Sequence, residues 1–180
     1  MISCQYCGFS HEVFQPTCAA CGAPLRAGQV KVTGKSQAEV MEEIRRLCRQ
    51  SIILFNVGLF MNGNSIPEKK MQTIKKSFSA FPNGREIFFY CDTTALNNGK
   101  QGFMICEDGV YWQNSWLKST NRNYLPWKTF KERVIVLQHY DLSLGMGDII
   151  SLAGIGRKVL FPIIEKLFQR IQLALKESNE

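Results

Sequence analysis

Apolar residues recur at helical spacing twice before residue 85, and in short strand-like runs after it. Val40, Ile44, Leu47, Ser51 and Leu54 fall on one stripe, with Arg45, Arg46 and Arg49 largely off it, which predicts an amphipathic helix. Ser36 and Glu39 form an S-x-x-E capping box at its start. A second helix is predicted from Pro67, allowed in a first turn, through Met71, Ile74 and Phe78, with Phe81 just past its end. Lys69, Lys70, Lys75 and Lys76 fall mostly on its outer face, which reads as a solvated surface or an anion-facing patch.

From Arg85 the texture is β-rich, with seven candidate strands at 86–91, 102–106, 110–114, 123–125, 133–137, 140–144 and 148–152. Asn97-Asn98-Gly99, Asp108-Gly109 and Gly145-Met146-Gly147 supply turns between them, and Asp108-Gly109 is a two-residue hairpin signal. The last segment, 157–175, predicts a helix with Val159, Ile163, Leu167, Ile171 and Leu175 on one stripe. Pro162 lies in its second turn, so regular helix is expected to start later than the apolar pattern. Seven antiparallel strands followed by one long helix give an α+β chain whose strands close as a barrel stoppered by the helix.

Ahead of all this stands Cys4-x2-Cys7, ten residues, then Cys18-x2-Cys21. Two residues between cysteines let one tight turn aim both sulfurs at one ion, and two such knuckles complete a tetrahedron. Gly8 and Gly22 follow the second cysteine of each pair, where a glycine eases the turn under a metal. The pattern predicts one structural zinc on Cys4, Cys7, Cys18 and Cys21, forming a zinc ribbon. His11, between the knuckles, is a spare ligand at most and reads better as a surface residue. A redox role fits poorly, because no βαβ pattern surrounds either pair, and four thiolates leave no open position for catalysis.

The stretch 26–35 (RAGQVKVTGK) is polar with two glycines, and its Gly34-Lys35-Ser36 ending imitates a nucleotide-binding P-loop. The required first glycine would fall at Gln29, and no buried strand precedes the loop, so Ser36 is read as a helix cap. The chain is therefore divided into a zinc ribbon at 1–27, a linker at 28–36, a helical segment at 37–83 packing on the barrel, and the barrel with its helix at 84–180.

Composition narrows the class without naming a partner. The 180 residues are 45% hydrophobic and 21% charged, as in globular domains with a real core. The net charge of +7 falls to about +5 with four thiolates on zinc, which permits nucleic acid or an anionic membrane as partner and demands neither. The longest apolar run, 52–61, is broken by Asn56 and is far below the roughly 18 residues of a spanning helix. The amino terminus carries cysteines where a secretory signal needs a charged and then an apolar region. Seven cysteines, four of them in CxxC pairs, fit a reducing compartment, so a cytoplasmic location is expected.

A resemblance adds to this reading. The stretch CDTTALNNGKQGFMICEDGVYWQN (91–114), followed by YLPWKTF (124–130), resembles a family of uncharacterised bacterial proteins with a pleckstrin-homology-like domain. IPEKKM (66–71) resembles the helical lead-in of such proteins, and CGAPL (21–25) the second knuckle of short bacterial zinc ribbons. The resemblance covers about residues 60–175 and implies a pleckstrin-homology-like barrel. Each motif residue also has a packing role: Asp92 and Thr93 as caps of the first strand, and Phe103, Ile105, Val110, Trp112 and Trp127 as core. Phosphoinositide-binding members of the wider superfamily carry a basic cluster in the first hairpin loop. Here that loop, 93–101, has Lys100 alone, which argues against specific lipid-phosphate recognition.

No G-x-S-x-G, H-E-x-x-H, kinase or Rossmann signature occurs. Two histidines, His11 and His139, leave few ways to build acid–base chemistry, and Cys48, Cys91 and Cys106 sit in apolar contexts as core thiols. Gly154-Ile155-Gly156-Arg157-Lys158 reads as a glycine turn with exposed cations. The expectation is a non-catalytic zinc-binding adaptor, or protein-interaction module, that takes a peptide between the barrel and the final helix or on a sheet edge. Two alternatives stand beside it. One is nucleic-acid binding by the ribbon with Arg26, Lys31 and Lys35; the other is attachment to anionic membrane through the Lys69–Lys76 face. The apolar stripes within 37–80 are expected to dock on the barrel or to form an oligomer interface.

Overall fold

The structure, a computed structural model, describes residues 2–4, 7, 10–11, 17–23, 34–55, 58–115, 117 and 120–178. Helix α1 (Gln37–Phe55) opens on the expected capping box. The Ser36 amide and hydroxyl each donate to Glu39 Oε2 at 2.8 Å, and the Glu39 amide returns a bond to Ser36 Oγ at 3.3 Å. Val40, Ile44, Leu47 and Cys48 are buried along its inner face. Ser51 shares that face without an orphaned hydroxyl, because its Oγ donates to Leu47 O at 2.9 Å.

Helix α2 (Glu68–Ser77) follows, and then β4 (Ile87–Asp92), β5 (Gly102–Cys106), β6 (Gly109–Gln113) and β7 (Tyr124–Pro126) form an antiparallel meander. A two-residue strand that the sequence did not announce, β3 (Phe60–Met61), adds itself to the free edge of β4. The strands are buried on both faces, so they read as nearly continuous apolar runs rather than alternating ones. Period two sorts their side chains. Phe89, Cys91, Phe103, Ile105, Val110 and Trp112 enter the main core with α1, while Tyr90, Met104, Cys106 and Tyr111 meet Ile66, Ile74 and Phe78 under α2. A register shift between Ile87 and Phe89 places Phe88 and Phe89 both in the main core.

The remaining strands, β8 (Val136–Gln138), β9 (Asp141–Ser143) and β10 (Ile149–Ser151), form a second antiparallel meander. All seven expected strands are thus found, but not as one barrel. They are split between a five-stranded and a three-stranded sheet, and no ladder joins the two among the described residues. The break has a local cause: Pro126 ends β7 and the chain turns at once into helix α3 (Trp127–Phe130), whose Trp127 and Phe130 are buried. A side chain spans another part of the seam, since Asn114 Nδ2 donates to Ile149 O at 2.8 Å and Asn114 Oδ1 accepts from Ser151 N at 2.9 Å. Arg133 and Asp148 form a buried ion pair at 3.2 Å that holds the β9–β10 turn to the segment leading into β8.

Helix α4 (Phe161–Lys176) lies over the main core, with Phe168 against Phe103 and Phe130 at ring-centre distances of 5.3 and 5.9 Å. It starts at Phe161 with Pro162 in its first turn, later than the apolar pattern, as Pro162 leads one to expect. The buried stripe is Ile164, Leu167, Phe168, Ile171 and Leu175, whereas Val159 is 71% and Ile163 38% exposed. Val159 precedes the helix in a 3-10 turn (Lys158–Leu160), so helical spacing does not carry it to the core. The Asp108-Gly109 hairpin also differs in detail. Gly109 already belongs to β6, and a Cβ there would lie 2.3 Å from Leu125 O, so this glycine serves the close approach of β7. No helix of the described residues is long and apolar enough to cross a membrane.

Candidate metal centre

Two short strands, β1 (Ile2–Ser3) and β2 (Ser10–His11), pair antiparallel as Ile2↔His11 and Ser3↔Ser10, which sets Cys4 at the end of β1 and Cys7 in the turn. The second knuckle closes on itself: Gly22 N donates to Cys18 O and Cys18 N to Ala23 O, each at 2.8 Å. Gly22 takes φ +69°, the left-handed conformation in which a glycine is unstrained. The two knuckles face each other, with Cys4 Sγ 3.7 Å from Cys21 Sγ and Cys7 Sγ 3.6 Å from Cys18 Sγ. All four sulfurs lie within 4.8 Å of one another.

These separations are far from a disulfide, whose sulfurs sit about 2.05 Å apart, and none of the cysteines is bridged. They suit a different chemistry. Four sulfurs about 2.3 Å from a central ion stand roughly 3.8 Å apart at the edges of a tetrahedron, close to the 3.6 and 3.7 Å observed. Cys4 and Cys18 are buried and Cys7 and Cys21 exposed, so one side of the cluster is shielded from water. Four thiolates at this distance repel one another unless a cation compensates them, and four ligands complete a tetrahedral sphere. The four cysteines are thus placed close enough to hold a metal ion. The side chain of His11 and the glycine Gly8 lie outside the described residues, as do Arg26 and Lys31.

The other sequence candidates divide between scaffold and surface. Lys35 is tied to the end of α4, with its Nζ 2.7 Å from Glu177 Oε2 and its amide donating to Glu177 O. The hydrogen bond to Glu177 raises its pKa, and the pair lies at the surface. Ser36 caps a helix, and Asp92 is fully buried at the end of β4. Asp92 accepts from the amides of Thr94 and Gly99 at 2.9 and 2.8 Å, and from Lys70 Nζ at 3.0 Å. The cap partner is therefore Thr94 rather than Thr93, whose amide instead joins the ladder to Gln101 O. No local signal connects Lys70 to Asp92, because the pair depends on α2 docking across the sheet. Asp108 is a turn residue by sequence, yet it accepts from Tyr111 Oη at 2.9 Å and faces Arg85 at 3.6 Å.

Cys48, Cys91 and Cys106 are core thiols, each essentially unexposed. Burial raises the pKa of all three far beyond the ordinary thiol value of 9.0. The unfolded chain releases these protons near pH 9 and the folded one does not. Stability is therefore at full value below that pH and falls as pH rises above it. Three such thiols remove about 4 kcal/mol between pH 8 and pH 10. Denaturant unfolding at the two pH values should show this loss, and Cys48, Cys91 and Cys106 should resist alkylation until the protein is unfolded.

No protein-family model, curated protein or solved structure matches this chain.

Proposed function

We propose that the chain is a non-catalytic, zinc-binding adaptor in which a four-thiolate ribbon is carried on a protein-interaction body. The observation behind this reading is the convergence of Cys4, Cys7, Cys18 and Cys21 to within 4.8 Å. Zinc is the metal of choice, because it accepts four thiolates tetrahedrally and has no redox chemistry that would couple to them. When bound, it supplies the folding energy that strands of two residues cannot. A cobalt titration of chelator-stripped protein tests the assignment. Tetrahedral thiolate absorption should rise to an endpoint of one ion per chain and vanish when zinc is added, whereas absorption without thiolate-to-metal bands would reject it.

Four strands, then three, then a closing helix support a pleckstrin-homology-like reading of the body. The protein partner of this reading would dock at a cleft. A cleft of about 370 Å³ lies beside α1, α3 and α4, with Val40, Met41, Trp127 and Leu175 in its lining and Arg85 and Lys131 among the charged residues around it. The free edge of β8 is less open to an added strand, because Glu165 Oε1 already accepts from Leu137 N at 2.8 Å. Nucleic-acid binding draws less support, since Lys35 is paired with Glu177.

A further inference from the structure

We propose that one end of the body is a docking face for an anionic bilayer, independent of the metal site. The face is built from the β4–β5 loop (93–101), the first turns of α2 and the turn at 153–159. These segments abut: a Cβ on Gly154 would lie 1.8 Å from Thr93 O, so only a glycine lets the two backbones meet. Lys69, Lys70 and Lys100 line one shallow concavity with Asn97 and Asn98.

Two independent properties coincide there. The first is exposed apolar surface at the tips of turns: Leu96 is 84% exposed, Val159 71% and Tyr140 41%. Single exposed leucines are ordinary on any protein, but the segments that carry these meet: Gly154 abuts Thr93, and Lys158 Nζ stands 4.9 Å from the Tyr140 ring centre. The second is charge. Lys69, Lys100, Arg157 and Lys158 are exposed and make no ion pair among the described residues. The carboxylates nearby are Glu68 in the first turn of α2, Asp141 beside Tyr140, and Asp92, which is already bonded to Lys70.

Asp92 explains why Leu96 stands out. Its buried carboxylate gathers Thr94, Gly99 and Lys70, so the loop is fixed at both ends and its tip is presented without ordering cost on contact. A nucleic acid would use the cations and the Tyr140 ring but leave Leu96 and Val159 in water, whereas a bilayer uses all of them, cations at the headgroups and apolar tips beneath them. This face shares Lys69 with the Lys69–Lys76 stripe of α2 expected from sequence, but Lys70 of that stripe is paired with Asp92, and the other cations here, Lys100, Arg157 and Lys158, come from two other segments.

Vesicle sedimentation with the whole 180-residue chain tests the proposal, comparing phosphatidylcholine alone with phosphatidylcholine containing about a third phosphatidylserine. Binding should require phosphatidylserine and weaken as salt rises. Each basic residue near an anionic surface is worth about fivefold in partition, so Lys100→Gln with Lys158→Gln should lower it about 25-fold. Leu96→Ser should lower it several-fold at every salt concentration. Circular dichroism should show all variants folded, as these side chains are exposed. Equal binding to both vesicles, or no effect of either substitution set, would overturn the proposal. So would sensitivity to the lysine changes alone combined with binding to a single-stranded oligonucleotide, which would mark a soluble polyanion site.

Discussion

A chain that begins at Gly84 should aggregate or lose its cooperative unfolding, although it retains all seven strands of the two meanders and the closing helix. The reason lies in what α1 and α2 cover. Val40, Ile44 and Leu47 are at most 2% exposed within the main core, and Ile66, Ile74 and Phe78 cover Tyr90, Met104 and Tyr111 on the other face of the same sheet. Uncovering a face forfeits about 1.5–3 kcal/mol per large apolar side chain, and six such side chains together rival the whole of the roughly 5–15 kcal/mol that keeps a domain folded. The truncation also removes Lys70 and leaves Asp92 buried without its cation, which costs about 3–5 kcal/mol more. A chain lacking residues 1–30 keeps α1, its cap and the Lys35–Glu177 pair, and should unfold in one sharp transition. Size-exclusion chromatography and urea unfolding separate the two outcomes. A monomeric 84–180 fragment with a single steep transition would show that the helices are an accessory to an independently stable body.

The second large effect is loss of metal without loss of fold. Cys4→Ser removes one of four thiolates, and three remaining ligands in a hairpin whose strands have two residues each cannot retain zinc stoichiometrically. Among the described residues the main core contains none before Val40, so the body has little to lose. Zinc content should fall below about a tenth of an ion per chain, while the melting temperature of the body shifts by less than about 2 °C. A large drop in melting temperature would mean that the cysteine module and the body are one cooperative unit.

Much of this organisation is legible in the sequence because it is local. The Ser36–Glu39 cap, the helical stripes and the alternation that sorts Phe103, Ile105, Val110 and Trp112 from Met104, Cys106 and Tyr111 each depend on spacing within one element. The two CxxC knuckles are equally local, and their spacing brings Cys4, Cys7, Cys18 and Cys21 forward as a set. What stays hidden depends on tertiary placement. Phe60 and Met61 are too short a run to declare a strand and become one only by pairing with β4. Closure into one barrel is an expectation that seven strands in series permit. Whether a ladder forms between β7 and β8 depends on where α3 carries the chain, and strand count cannot express that. Val159 and Ile163 fit the helical period of α4, yet the helix buries a stripe rotated toward Ile164 and Phe168.

Elemental analysis of the 180-residue chain purified without chelator decides whether Cys4, Cys7, Cys18 and Cys21 hold one zinc. One zinc per chain is predicted, bound in the wild type and absent from Cys4→Ser. Wild-type protein with intact thiols and no stoichiometric zinc would contradict it.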